Sequence, residues 1–135
     1  MKSSPPRSLA DLRSDYLHAS LDESTVLADP YLQAQRWLDE AIDAKVHEPT
    51  AMTLATVDAE GQPHARIVLL KGLDARGLTF FTNYESDKGV ELAAHPRAAI
   101  VLFWHVLERQ LRVEGSVERL SAAESDAYFS TRPRA

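Results

Sequence analysis

The chain has 135 residues, no cysteine, 44% apolar residues and a formal net charge of -5. These figures fit one ordinary globular domain with a modest core. They exclude disulfides, thiolate nucleophiles and cysteine-based zinc sites in this chain, and they argue against a nucleic-acid-binding face, which would have to be basic.

Residues 1–7 are polar and contain two prolines, and are expected to be disordered. No apolar h-region follows them, so they do not read as a secretory signal. No apolar run approaches the roughly 20 residues that span a bilayer. A cytoplasmic protein without membrane contact is the expectation. Ser8 to about Leu17 predicts a short helix, with Ser8 as N-cap and Asp11 three residues on. Leu21 to Ala28 reads as a linker. Asp29-Pro30 is a helix start, an N-cap acid followed by proline at the first helical position. Ala34, Trp37, Leu38, Ala41 and Ile42 form its apolar stripe. That helix should end before Pro49.

From Ala51 the period changes from helical to alternating. Ala51 to Asp58 and Gln62 to Leu70 predict two strands joined by the turn Asp58-Ala59-Glu60-Gly61. Asp74 to Gly77 is a second turn, leading to a strand over Leu78 to Thr82. Ser86 caps a short helix ending near Ala94, and His95-Pro96 breaks it. Ala98 to Val106 is a continuous apolar strand, as burial on both faces would require. Leu107 to Arg119 alternates like a half-buried strand. Ser121 to Glu124 forms a capping box whose helix should end by Arg132, before Pro133. Five or six antiparallel strands with flanking helices predict a mostly β fold, a small barrel of Greek-key type.

The chemistry concentrates in three segments. Arg66-Ile67-Val68-Leu69-Leu70-Lys71 is followed by Phe81-Thr82 and then by Ser86-Asp87-Lys88-Gly89. They place an arginine, two lysines and two hydroxyls around two strands and a helix start. That set can hold a phosphate beside a flat ring. The helix start adds unpaired backbone N–H groups and the positive end of a dipole. Eleven of the fifteen cations are arginine, the better phosphate fork. Taken singly, Arg66 and Lys71 fit strand-end surface charges equally well, and Ser86-Asp87 fits a plain helix cap. The five histidines show no HxH or HExxH spacing, and no metal centre is expected. There is no Walker loop, dinucleotide GxGxxG or nucleophile elbow.

With Trp104-His105-Val106-Leu107-Glu108-Arg109-Gln110 and Tyr128-Phe129-Ser130-Thr131-Arg132-Pro133-Arg134, these segments resemble the pyridoxine/pyridoxamine 5'-phosphate oxidase family. The resemblance runs from about Leu12 to the last residue. It implies an FMN enzyme on a split β-barrel, working as a homodimer with the flavin between subunits. The implied reaction oxidises pyridoxamine or pyridoxine 5'-phosphate with O2 as acceptor. The implied cofactor contacts are Arg66, Ile67, Val68, Leu69, Leu70, Lys71, Phe81, Thr82, Ser86, Asp87, Lys88 and Gln110. Gln110 suits an isoalloxazine edge, because an amide both donates and accepts. The implied substrate contacts are Lys71, Tyr128 and Arg132, with Arg13 and Tyr16 from an N-terminal covering segment. Tyr128 and Arg132 share one helix face, although core packing and a helix-end charge would also explain them. No catalytic side chain is assigned.

One position departs from the family pattern: Asp87 stands where a basic residue is usual. A carboxylate facing inward there would repel the FMN phosphate. Family members also continue well past Arg134, so the chain is expected to be a fragment of a longer enzyme or a truncated form lacking part of the site. Two other readings stay open. One is another split-barrel flavin enzyme, such as the phenazine-biosynthesis type; the other is a non-catalytic binder of flavin or vitamin phosphate.

Overall fold

The computed structural model describes residues 24–82 and 86–120. The expected N-terminal helix, the capping box at Ser121 and the candidate residues Arg13, Tyr16, Tyr128 and Arg132 lie outside the described residues. The chain divides into two compact units. One takes the chain to Pro49 together with Phe103–Gln110; the other takes Thr50–Leu102 and the chain from Leu111.

In the first unit, helix α1 runs over Pro30–Asp43. Asp29 caps it, its carboxylate accepting from the Tyr31 N–H at 2.9 Å. Ala34, Leu38 and Ala41 are buried as the stripe predicts, whereas Ile42 is exposed. The helix stops well ahead of Pro49, and Lys45 and Glu48 both take positive φ. Trp37 meets Trp104 edge-on, with ring centroids 6.5 Å apart. The Arg109 guanidinium lies 5.0 Å over the Trp37 ring and pairs with Glu40. The Trp104 indole N–H donates to the Pro49 carbonyl at 2.8 Å.

The sheet runs in the order β2-β1-β5-β6, with strands β1 (Ala51–Val57), β2 (Pro63–Leu69), β5 (Arg97–Trp104) and β6 (Arg109–Ser116), and all of its residues except Phe103, Trp104, Arg109 and Gln110 belong to the second unit. The β1–β2 hairpin matches the expectation. Asp58 Oδ1 accepts from the N–H groups of Glu60 and Gln62, both at 2.9 Å. Gly61 takes φ 89, a backbone region that glycine enters without strain. The antiparallel register sets Leu54 opposite Arg66 and Thr56 opposite His64. Helix α2 (Asp87–Ala94) packs on β1. Met52, Leu54, Thr56, Ile100 and Leu102 are buried.

Three expectations need correction. The strand expected over Leu78–Thr82 is shorter, β4 (Gly77–Thr79), and pairs with an unanticipated β3 (Gly72–Asp74) in a separate ribbon. The strand expected to run through Val106 ends at Trp104, followed by a 3-10 turn over His105–Leu107 that Glu108 closes in the left-handed conformation. β5 is not buried on both faces: Ile100, Leu102 and Trp104 are buried, but Phe103 is exposed. Period-2 alternation sends its odd and even residues to opposite faces, and on β2, which pairs with the other side of β1, the face away from Arg66 exposes Ile67 and Leu69.

Candidate functional site

Strand β2 and the start of α2 meet at an open cleft of ≈ 340 Å³, lined by His64, Ala65, Arg66, Ser86, Asp87, Lys88 and Glu91. Two facts of local folding create it. Alternation puts His64 and Arg66 on the same face of β2 as buried Leu54 and Thr56 on β1. Ser86 then starts α2, its Oγ accepting from the Gly89 N–H at 3.2 Å. The first turn of any helix has N–H groups without intrahelical acceptors, and Ser86, Asp87 and Lys88 at this helix start line the cleft. The Thr82 and Ser86 hydroxyls lie 3.2 Å apart, which ties Thr82 to the same helix start.

Arg66 is held by three bonds. Its Nη1 donates to the Leu54 carbonyl at 3.2 Å and to Thr56 Oγ1 at 2.6 Å, and its Nη2 donates to Glu91 Oε2 at 3.1 Å. A guanidinium has five N–H donors, so two are not used in these bonds. The Thr56 hydroxyl, accepting from Arg66, donates in turn to Glu91. His64 Nε2 sits 2.9 Å from Asp58 Oδ2 and 3.8 Å from Glu91 Oε1. The Thr56 hydroxyl bond, followed by Arg66 and His64, holds the Glu91 carboxyl below its ordinary range. The His64 bond does the same for Asp58, and Asp58 in return raises the imidazole.

These shifts set the sign of a pH dependence. His64 contributes stability that is complete below its ordinary value of 6.5 and is lost as pH rises through its raised folded value. Glu91 and Asp58 contribute above their ordinary values of 4.5 and 3.8, and lose it as pH falls through their lowered ones. Unfolding stability is therefore expected to decline from about pH 5.5 to about pH 8.5, and less so in His64→Gln. Urea titrations at the two values, in low salt because the pair is exposed and screened, check this. An identical slope in both proteins would remove His64 as its cause.

Of the cofactor candidates, Arg66, Ser86, Asp87 and Lys88 come together in the cleft, with Thr82 bonded to its rim. Asp87 is exposed. Ile67 and Leu69 point to the opposite sheet face, exposed, while Val68 is half-buried and Leu70 buried. Any contact from Ile67 or Leu69 into the cleft would thus be through backbone. Lys71 is exposed, its N–H donating to the Thr79 carbonyl at 2.8 Å, and Phe81 is half-buried. Gln110 belongs to the other unit and is exposed on β6. Thr56, Asp58, His64 and Glu91 were not anticipated. For two of them the sequence holds a placement signal: His64 is two residues before Arg66, hence on its face, and Glu91 follows Lys88 by three on one helix side, though neither spacing marks the bond from Thr56 to Glu91.

The donor set suits the phosphate end of FMN, with Arg66 and Lys88 as cations, Ser86 and Thr82 as hydroxyls, and a helix start as a further donor array. Two carboxylates share the cleft. Glu91 is already compensated by Arg66 and Thr56, which leaves Asp87 as the unfavourable charge.

The family model described as pyridoxamine 5'-phosphate oxidase matches residues 38–135. A protein of Cupriavidus necator named pyridoxine/pyridoxamine 5'-phosphate oxidase is 66% identical over 125 residues, 93% of this chain. The chain spans 59% of the length of that relative. Among solved structures, PhzG from Burkholderia lata, in complex with tetrahydrophenazine-1-carboxylic acid, matches with a TM-score of 0.81 and 29% identity over 88% of this chain and 59% of its own. A pyridoxamine 5'-phosphate oxidase-related, FMN binding protein from Nostoc punctiforme matches with a TM-score of 0.58 and 23% identity, over 73% of this chain and 53% of its own, and shares the fold. The mostly β architecture with flanking helices is that of the split-barrel proteins, and the chain belongs to the pyridoxamine 5'-phosphate oxidase family.

Proposed function

We propose that the chain carries the FMN-phosphate site of an oxidase acting on pyridoxamine or pyridoxine 5'-phosphate, with O2 as acceptor. The observation that carries this reading is the convergence of Arg66, Ser86, Lys88 and the start of α2 on one cleft. The name shared by relatives at 66% identity supports the substrate class.

Bound FMN would supply the redox chemistry, taking two electrons as hydride from the substrate C4' and passing them to dioxygen to give hydrogen peroxide. The chain's own residues bind and orient. Arg66 and Lys88 neutralise the cofactor phosphate, and Ser86 and Thr82 add neutral hydrogen bonds. Segment Arg66–Lys71 lines the flavin in part through its backbone, with Phe81 and Gln110 as further contacts. Lys71, Tyr128 and Arg132 hold the substrate phosphate, and Arg13 and Tyr16 cover it. Alignment decides the rate, since a misplacement of about 1 Å can cost ~100-fold.

The test pairs a flavin titration with a peroxide-release assay in the full chain. FMN should bind more tightly than riboflavin, and pyridoxamine 5'-phosphate should release peroxide where unphosphorylated pyridoxamine does not. Equal affinity for the two flavins would overturn the phosphate placement. A second reading, an oxidase of phenazine precursors, is favoured by the likeness to PhzG. Turnover of a dihydro- or tetrahydrophenazine carboxylate, with none of the vitamin phosphate, would establish it instead.

We also propose a homodimer. Ile67 is 65% and Leu69 40% exposed on one face of β2, an apolar pair on a sheet face that a second copy would bury. Sedimentation at micromolar concentration should give twice the mass of one chain, and Ile67→Asp should shift it toward one. A wild-type monomer in the presence of excess FMN would count against it.

A further inference from the structure

We propose that Glu91 and Thr56 are positioning residues for the cofactor phosphate: they fix the Arg66 guanidinium so that its unused donors face the cleft. This rests on the reading of Arg66 as a phosphate ligand. It goes beyond that reading because neither residue need touch the cofactor.

The geometry is a closed triangle. Thr56 Oγ1 accepts from Arg66 Nη1 at 2.6 Å and donates to Glu91 Oε2, and the same carboxylate oxygen accepts from Arg66 Nη2 at 3.1 Å. The Leu54 carbonyl gives Arg66 a third point of attachment at 3.2 Å. All three anchoring residues are buried. Leu54 is fully buried, Thr56 is 1% exposed and Glu91 8%. An arginine on a strand edge samples many rotamers, and ordering it on binding costs free energy. Here three bonds already hold the guanidinium without any ligand. The arrangement also answers a puzzle of charge. A carboxylate lining an anion site is unfavourable unless it does something else, and Glu91 is committed to Arg66, Thr56 and, at 3.8 Å, His64.

Three roles for Glu91 make different predictions. A positioning carboxylate can be replaced by an amide, which keeps an acceptor for Arg66 and Thr56. A carboxylate that merely competes with the phosphate should bind more weakly than any neutral replacement. A purely structural one should alter stability without changing which flavin is preferred.

The experiment measures FMN and riboflavin affinities by flavin fluorescence quenching in the full chain, and takes their ratio as the phosphate's contribution. Glu91→Ala and the near-isosteric Thr56→Val should each lower the ratio about tenfold, by analogy with losing one charge-assisted bond, with riboflavin affinity unchanged. Glu91→Gln should restore the wild-type ratio or exceed it. A raised ratio in Glu91→Ala, or an unchanged ratio in both Glu91→Ala and Thr56→Val, overturns the proposal. If Glu91→Ala does not fold, Thr56→Val decides alone. Arg66→Ala separates the two levels of the argument. A lowered ratio there with unchanged ratios in the others defeats the positioning role only, whereas an unchanged ratio in Arg66→Ala defeats the phosphate placement itself.

Discussion

Replacing Trp104 with alanine is expected to lower the unfolding free energy by about 3–5 kcal/mol, the range for truncating a large buried aromatic. Trp104 is 2% exposed. Its ring stands at 88° to Trp37 of α1, and Trp37 in turn carries the Arg109 guanidinium. The indole N–H donates to the Pro49 carbonyl across 55 residues of chain. Alanine would open a void and strand that carbonyl. Phenylalanine would keep much of the packing and lose the hydrogen bond, worth about 0.5–1.5 kcal/mol, together with part of the ring volume. The order of stability should be wild type, Trp104→Phe, Trp104→Ala in urea denaturation at fixed pH. A loss below about 1 kcal/mol for Trp104→Ala would mean that the first unit does not depend on this ring.

The elements that were legible in the sequence are those with local punctuation. Asp29-Pro30 marks the start of α1, Ser86 the start of α2, and Asp58 with Gly61 the hairpin, because capping and turn chemistry act within a few residues. The 3-10 turn at His105–Leu107 has no such mark. Glu108 closes it at φ 54, a conformation seldom adopted by a residue other than glycine, asparagine or aspartate. The arms of the β3–β4 ribbon are three residues each, too short for alternation to register. The same division runs through the site. Arg66, Ser86 and Lys88 are visible as polar groups at a strand and a helix start. Thr56 and Glu91 are not, because their partnership joins positions 35 apart and exists only once α2 has packed on β1. Thr56 reads as an ordinary β-branched strand residue, and Glu91 as a solvated helix charge.

Replacing Lys88 with alanine is expected to weaken FMN binding by about 1.5–3 kcal/mol, roughly 10- to 150-fold, if its ammonium makes one charge-assisted bond to the phosphate. Riboflavin binding should not change. Lys88 lines the cleft in the first turn of α2, next to Asp87, and unlike Arg66 it carries its charge on a flexible stem. Its contribution should therefore fall more steeply with added salt than that of the anchored guanidinium. Asp87→Asn should act in the opposite direction. The carboxylate favours the helix start by about 0.3–1 kcal/mol, so the variant gives up a little helix stability, yet it removes a negative charge from the rim of an anion site. A several-fold tightening toward FMN with slightly lower unfolding stability is the expected pair of results, by flavin titration and urea denaturation on the same samples. Should Lys88→Ala and Asp87→Asn both leave FMN affinity unchanged, the phosphate does not sit at the start of α2. Should Asp87→Asn weaken binding, its side chain faces away from the phosphate and what the site gains from residue 87 is helix order rather than charge.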